Sequence, residues 1–209
     1  SVHNVVAEAR KLDIALVHIS TAGIFDGLKE SYSEDDPPNP LSVYGKSKYL
    51  GELIARSYNK SIVIRAGWMM GGGPQKDKKF VNKIIKQLNN GVKEIAVVND
   101  KLGSPCYTYD LAKIIYFLLK NKKYGLYHGC CNGGGSRLDI AKKIVSILGI
   151  DKKIKIKAVT SQYFSKEYLA SRPFSEKLNN KKLNLINSHL TRDWQDALKD
   201  YLGRFDWLL

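Results

Sequence analysis

The feature that most constrains this fold is a regular alternation of short apolar runs with helical segments. The apolar runs have the length and composition of buried strands: DIALVHIS (residues 13–20), SIVIRA (61–66), EIAVV (94–98) and GLYHGC (125–130). Between them lie amphipathic segments such as FVNKIIKQLNNG and SRLDIAKKIVSILG. Strands that are apolar throughout are typical of parallel sheets covered on both faces. The alternation therefore predicts an α/β fold built on a parallel sheet.

Capping residues mark where the predicted helices begin and end. Asn39 as N-cap and Pro40 as first helical residue predict a helix that runs through about Tyr58. Ser136 is expected to cap the helix in SRLDIAKKIVSILG, and Gly149 to close it. The final glycine of FVNKIIKQLNNG is expected to stop that helix in the same way.

The alternation weakens from Asp151 onward. A lysine-rich strand and polar loops follow, and the chain ends in a predicted helix near TRDWQDALKDYL. This tail is predicted to belong to a smaller lobe packed on the sheet. We place the boundary after the last predicted sheet strand, so that residues 1–130 form the sheet domain and residues 131–209 form the lobe.

The first residues, SVHNVVAEARKLD, have the apolar spacing of the middle or end of a helix. They contain neither the apolar core nor the cleavage site of a signal peptide. The chain also has no apolar run near the length that spans a membrane. We expect it to lack the N-terminal part of its fold.

The composition excludes several classes of function. The formal net charge is +14, but the lysines are scattered, and no arginine-rich stripe or aromatic RNA-binding signature is present. We expect no nucleic-acid partner, although a phosphorylated small molecule suits this charge. The three cysteines, Cys106, Cys130 and Cys131, lack the spacing of a metal site or a disulfide framework. They predict reduced thiols, a cytoplasmic protein and no bound metal.

A tyrosine followed four residues later by a lysine is the first indication of chemistry. The chain holds three such pairs, namely Tyr44 and Lys48, Tyr109 and Lys113, and Tyr116 and Lys120. With 12 tyrosines in a lysine-rich chain of 209 residues, about one or two pairs are expected by chance. Only the first pair opens a helix that follows a buried strand ending in hydroxyls, Ser20 and Thr21. The other two lie on an apolar helix, where core packing is the expectation.

The first pair has the chemistry of a carbonyl reductase. At helical spacing Tyr44 and Lys48 share one face, one turn apart. The ammonium stabilises the phenolate, so the tyrosine can give or take a proton on a carbonyl or alcohol oxygen. Thr21 lies at the carboxyl end of a strand, where parallel sheets collect their ligands, and can hydrogen-bond the same oxygen.

Several segments together resemble a known family. They are HISTAGIFDG, EDDPPNPLSVYGKSKYLGE, IRAGWMMG, NDKLGSPCYTYDLAKII, GLYHGC and SRPFSEKL, in this order between about Val2 and Leu202. The chain resembles the extended short-chain dehydrogenase/reductases, most closely the dTDP-4-dehydrorhamnose reductase family. The resemblance implies a Rossmann-type doubly wound parallel sheet lacking its N-terminal βα units, with a C-terminal substrate lobe. It also implies NADPH or NADH as hydride donor, a nucleotide-linked 4-keto-6-deoxy sugar as substrate, and a place in polysaccharide biosynthesis; it allows a homodimer.

The resemblance also implies roles for individual residues. Thr21 is the implied catalytic hydroxyl, Tyr44 the acid and Lys48 the ribose-binding lysine. The implied cofactor-binding residues are Tyr44, Lys48 and Ala66, and the implied substrate-binding residues are Thr21, Ala22, Trp68, Ser104 and Arg172.

Some of these residues have other interpretations. Trp68 can be a core residue, Ser104 can belong to a simple turn, and Arg172 can form a surface salt bridge. Asp110 is expected to cap or anchor the helix that follows it. Two positions also depart from the family pattern, which usually reads Ser-Thr-Asp-Tyr where this chain has Ala22 and Gly23 after its hydroxyls.

The chain lacks an evident glycine-rich loop for the dinucleotide phosphates. GGGP is followed by charged residues where a helix should begin, and GCCNGGGS has glycine where a phosphate-binding loop needs lysine. We expect the family's loop to precede residue 1, with about 80 residues missing at the usual size of βαβ units. The chain would then keep the nicotinamide and sugar half of the site.

Two other functions remain open from the sequence. An epimerase or dehydratase of the same superfamily would reuse the hydride internally, but dehydratases typically carry acidic residues where Ala22 and Gly23 stand. A non-catalytic role is the other alternative, because the regulatory subunit of methionine adenosyltransferase resembles the same family.

Overall fold

The computed structural model describes residues 1–166 and 172–207. The strands are β1 (Leu16–Thr21), β2 (Ser61–Ala66), β3 (Trp68–Met70), β4 (Glu94–Val98), β5 (Leu102–Gly103), β6 (Pro105–Tyr107), β7 (Gly125–His128), β8 (Gly135–Ser136), β9 (Lys155–Val159) and β10 (Ser175–Glu176). The α-helices are α1 (Val2–Lys11), α2 (Val43–Arg56), α3 (Gly73–Lys76), α4 (Phe80–Asn89), α5 (Thr108–Lys120), α6 (Arg137–Ile147), α7 (Lys181–Asn187) and α8 (Trp194–Gly203). Within the described ranges, every helix is too short or too polar to cross a membrane.

The main sheet confirms the predicted α/β fold. Strands β1, β2 and β7 lie in that order and are all parallel. Every residue of β2 is buried, as its continuous apolar sequence predicts. The register pairs Thr21 with Ala66, so the carboxyl ends of β1 and β2 meet at one edge of the sheet.

A second core forms beside the sheet. It contains the parallel pair β4 and β9 together with α4, α6 and α8. Its buried members come from residues 70–107 as well as from residues 131–207. Two smaller sheets complete the described strands: β3 pairs with β6, and β5 lies between β10 and β8. The predicted domain boundary at residue 130 stays a prediction. The second core contains residues from both sides of this boundary.

The structure corrects two predicted boundaries. The first strand begins at Leu16, because Asp13 occupies a left-handed turn with φ of 54°. Helix α2 begins at Val43, where the Ser42 side chain accepts a hydrogen bond from the Gly45 amide at 3.0 Å. Asn39 lies three residues before the observed cap, in the preceding loop, where its side-chain amide donates to an Asp26 carboxylate oxygen at 3.2 Å.

The predicted boundaries of α6 and the end of α4 are confirmed. Ser136 forms a reciprocal capping box with Asp139 at the start of α6. Gly91 and Gly149 follow the two helices with φ of 77° and 67°, values that favour glycine.

A buried ion pair joins α2 to the middle of the main sheet. Arg65 on β2 is 1% exposed and Glu52 on α2 is fully buried. The guanidinium donates from Nε to one carboxylate oxygen at 3.1 Å and from Nη2 to the other at 2.6 Å. Its Nη1 lies 3.4 Å from Nε2 of the buried His128, whose Nδ1 lies 3.0 Å from the Asn179 carbonyl. A histidine that donates from Nδ1 and accepts at Nε2 satisfies both contacts.

Replacing Glu52 with glutamine should destabilise the fold strongly. The substitution leaves the Arg65 charge buried without a counter-charge, which costs about 3–5 kcal/mol. Urea denaturation would measure the loss. Glu8→Gln is the matched control, because Glu8 forms an exposed 3.9 Å pair with Lys11 on α1 and should change the free energy of unfolding by less than about 0.5 kcal/mol. Equal effects of the two substitutions would contradict the importance of the buried pair.

His128 should make the stability depend on pH. Burial and the neighbouring Arg65 lower the pKa of His128 from 6.5 to about 3. The unfolded chain takes up a proton below pH 6.5 while the folded chain does not, so stability is full above pH 6.5 and falls as the pH decreases toward 3. Between pH 7 and 4.5 the expected loss from this group is of order 2 kcal/mol.

The check is to compare urea midpoints at these two pH values for the wild type, His128→Gln and the exposed control His189→Gln. The His128 variant should lose less stability on acidification than the other two proteins. The prediction would be contradicted if the urea midpoint of His128→Gln decreased between the two pH values as much as that of the wild type.

Candidate active site

Three side chains on successive turns of α2 form one face of the helix. Tyr44, Lys48 and Glu52 are spaced four residues apart. Glu52 binds Arg65 of β2, and the Lys48 ammonium donates to the Ile19 carbonyl of β1 at 2.7 Å. These two contacts fix the face of the helix against adjacent strands. Tyr44 lies at the open end of this face with 60% of its surface exposed.

The turn after β1 brings Thr21 to the same place. The Thr21 hydroxyl accepts a hydrogen bond from the Gly23 amide at 3.1 Å and begins the short 3₁₀ turn Ala22–Ile24. Helix α2 approaches this turn so closely that a Cβ on Gly45 would lie 2.4 Å from the Gly23 carbonyl oxygen. The residue after Tyr44 must therefore be glycine for the helix to pack here.

Gly23 lies between the side chains of the site. A Cβ placed on it would lie 3.5 Å from Thr21 Oγ1, 3.8 Å from Tyr44 Cε1 and 3.3 Å from Glu176 Oε1. Thr21 and Tyr44, two of the three predicted catalytic residues, thus converge on one point, together with a carboxylate from β10. The missing side chain at Gly23 leaves this point open.

Trp68 stands at the other side of the site, on β3. Its indole Nε1 donates to Glu176 Oε2 at 2.8 Å, and its backbone amide donates to the Ser104 carbonyl at 2.8 Å. The ring packs against Gly103, where a Cβ would come within 2.3 Å of it, and the Arg137 guanidinium lies 3.6 Å from the ring centroid. Trp68 is half-buried, so part of its ring packs within the protein and part reaches the surface.

The remaining predicted residues fall into two groups. Ala66 and Ala22 are both buried, 4% and 2% exposed, at the carboxyl edge of the main sheet beside Thr21. Ser104 is fully buried: its hydroxyl donates to the Gly133 carbonyl at 2.8 Å and accepts from the Leu178 amide at 3.1 Å. These bonds favour the interpretation of Ser104 as the anchor of a turn, and its contact with a substrate stays a prediction.

Arg172 is exposed, and its role stays a prediction. Among residues 1–166 and 172–207, no carboxylate lies within salt-bridge distance of its guanidinium, so the alternative of a surface ion pair has no support there. Asp110 does anchor α5, as expected, since it accepts two hydrogen bonds from Arg192 at 2.8 and 3.1 Å.

The other two tyrosine–lysine pairs lie on α5, as expected, but the prediction that they pack in the core is wrong. Tyr109 and Tyr116 are 42% and 66% exposed, so they do not pack in the core. Lys113 lies 4.2 Å from the Tyr109 ring centroid, and Lys120 lies 5.9 Å from that of Tyr116. These pairs are cation–π contacts on the surface of α5.

Packing accounts for the glycines of the two loops that were rejected as phosphate sites. A Cβ on Gly71 would lie 1.8 Å from the Thr108 hydroxyl. A Cβ on Gly134 would lie 2.5 Å from the Gly103 carbonyl, and φ at Gly134 is 153°. Both positions require glycine because backbone and side chains approach closely there.

The cysteine side chains contribute no nucleophile. Cys106, Cys130 and Cys131 are buried and unpaired. Burial raises the pKa of the Cys131 thiol to about 12 and raises that of the other two as well. In the described part of the chain, no three His, Cys, Asp or Glu side chains are grouped as metal ligands.

Sequence reasoning missed Glu52, Arg65 and Glu176. An arginine inside the otherwise apolar run SIVIRA was a signal, because a buried charge requires a partner. Glu52 was available as that partner, eight residues after Tyr44. No local pattern pointed to Glu176, which meets Trp68 across 108 positions of sequence.

Comparison with known proteins identifies a family profile and several similar proteins. The profile of the RmlD substrate binding domain family matches residues 1–206. The spore coat polysaccharide biosynthesis protein SpsK of Bacillus subtilis (strain 168) is 34% identical over 197 residues, which are 93% of this chain and 66% of that protein. This chain thus spans slightly less than two thirds of the length of that relative.

Two solved structures have the same fold as this chain. The dTDP-4-dehydrorhamnose reductase from Yersinia enterocolitica superposes with a TM-score of 0.91 at 34% identity, covering 100% of this chain and 71% of that one. The dTDP-4-dehydrorhamnose reductase from Bacillus anthracis, solved in complex with NADP, gives a TM-score of 0.89 at 30% identity, with 98% and 70% covered.

Proposed function

This chain belongs to the RmlD substrate binding domain family, and we propose that it forms the nicotinamide and sugar side of an NAD(P)H-dependent reductase. The substrate class is a nucleotide-diphosphate 4-keto-6-deoxy sugar, as the names of the Yersinia and Bacillus anthracis relatives suggest. The observation that carries the proposal is the convergence of Thr21, Tyr44 and Gly23 at the carboxyl edge of β1. A cytoplasmic setting and a homodimer are part of the same proposal.

The residues present fit a nicotinamide cofactor. The Lys48 ammonium uses one hydrogen to bind the Ile19 carbonyl, which leaves two donors for ribose hydroxyls. Tyr44 is exposed next to it, and Gly23 keeps the space between Thr21 and Tyr44 open. When bound, the cofactor supplies the hydride that reduces the sugar carbonyl.

Tyr44, Lys48 and Thr21 then have different roles at the carbonyl oxygen of the sugar. The Tyr44 hydroxyl is placed to donate a proton to that oxygen as it gains negative charge. The Lys48 ammonium, one turn away, stabilises the phenolate that remains. The Thr21 hydroxyl already accepts from the Gly23 amide, so its own hydrogen is directed away from that amide and can be donated to the same oxygen.

Replacing Tyr44 with phenylalanine should abolish most turnover. The change removes the proposed acid and keeps the ring, so we expect kcat to fall by about 10²–10⁴-fold while the substrate KM changes little. The measurement is NADPH oxidation with dTDP-4-dehydrorhamnose, in the protein that the complete reading frame encodes. Tyr116→Phe is the matched control, because Tyr116 is followed by a lysine at the same spacing but lies on the surface of α5. Near-normal turnover in Tyr44→Phe would exclude Tyr44 from the mechanism.

Residues 1–209 alone should bind the dinucleotide weakly. The proposed contacts are limited to the nicotinamide ribose, and a few hydrogen bonds contribute about 0.5–1.5 kcal/mol each. Micromolar affinity requires about 8 kcal/mol. Calorimetric titration with NADPH and NADH should give dissociation constants well above micromolar, and Lys48→Ala should weaken binding further. A low micromolar constant would contradict our proposal that the pyrophosphate contacts lie outside these residues.

A further inference from the structure

A carboxylate lies at the point where this chain departs from the usual catalytic turn. Glu176 Oε1 is 3.3 Å from the position that a Cβ on Gly23 would occupy. The same position is 3.5 Å from Thr21 Oγ1 and 3.8 Å from the Tyr44 ring. A side chain at position 23 would contact Glu176. Glycine at this position therefore leaves room for the Glu176 carboxylate.

Three interactions hold Glu176 in this orientation. Its second oxygen, Oε2, accepts the indole hydrogen bond of Trp68 at 2.8 Å. Its backbone pairs in parallel with Gly103 of β5, the residue on which the Trp68 ring packs. The preceding Ser175 is fully buried, and its hydroxyl donates to the Glu30 carbonyl at 2.5 Å. Strand β10 thus presents one carboxylate oxygen to Trp68 and the other to the catalytic turn.

We propose that Glu176 determines which sugars the site accepts, an inference that rests on the proposed reductase function. A carboxylate oxygen beside Thr21 and Tyr44 can accept a hydrogen bond from a sugar hydroxyl. A sugar with its own carboxylate would bring two negative charges together in a partly desolvated site, which is unfavourable. The site therefore selects neutral 4-keto sugars and rejects 4-keto uronic acids. By holding the indole, Glu176 also positions Trp68 against the substrate.

The test compares two nucleotide-linked 4-keto sugars, one with a methyl group and one with a carboxylate on C5. The full-length wild type should prefer the methyl sugar in kcat/KM. Glu176→Gln keeps an acceptor for Trp68 but removes the charge, so this preference should fall by at least about tenfold, mainly through better use of the carboxylate sugar. Glu30→Gln is the matched control and should leave the preference unchanged, since Glu30 is 73% exposed and pairs with Lys177 at the surface.

A second readout tests the positioning of Trp68 without relying on turnover. The indole N–H resonance of Trp68, assigned by its loss in Trp68→Phe, should move strongly in Glu176→Ala and less in Glu176→Gln. The methyl-sugar KM should rise about threefold to tenfold in Glu176→Ala and less than threefold in Glu176→Gln, consistent with loss of one hydrogen bond.

Each failure identifies a different error. An unchanged sugar preference in Glu176→Gln would overturn the assignment of Glu176 as the selecting residue, while the reductase function would stand. An unmoved Trp68 resonance in Glu176→Ala would overturn its positioning role. A wild type that reduces neither sugar would overturn the proposed function and this inference with it.

Discussion

The placement of the site depends on the buried pair of Glu52 and Arg65. Both side chains are almost completely removed from water, so each is tolerated only with the other in contact. Two hydrogen bonds join them, and the neutral His128 satisfies a further donor of the guanidinium. A rotation or shift of α2 by one residue would separate the charges. The pair therefore fixes the register of α2 on the main sheet.

The geometry of the proposed site follows from that register. Lys48 lies one turn from Glu52 on the same face and reaches the Ile19 carbonyl of β1. Tyr44 lies one turn further and is carried to the carboxyl edge of the sheet, where Thr21 ends β1. The close approach of Gly45 to the Gly23 carbonyl completes the contact. The buried pair of Glu52 and Arg65 thus determines the position of the exposed Tyr44.

Features that depend on neighbouring residues could be predicted from the sequence. The sheet strands, the Ser136 cap and the placement of Tyr44 and Lys48 one turn apart on a helix follow from local spacing, and the structure contains all three. The predicted start of α2 was wrong, because Ser42 caps the helix and Asn39, a good cap by type, lies in the preceding loop and donates to Asp26. The partners of the buried Ser104 hydroxyl, Gly133 and Leu178, could not be predicted because they are distant in sequence. Such contacts exist only after the chain has folded.

The site has two parts, one built from residues that are close in sequence and one built from residues that only the fold brings together. Thr21, Tyr44 and Lys48 lie close together in sequence, on one strand and the helix that follows it. Trp68 and Glu176 are 108 positions apart and meet only because β10 pairs with β5 beside β3. The residues that we propose to move protons are therefore specified locally, while those that would contact the sugar depend on the packing of distant segments. This separation is compatible with a chain that keeps the spacing of Tyr44 and Lys48 and has Ala22 and Gly23 in its turn, where the Glu176 carboxylate approaches from another strand.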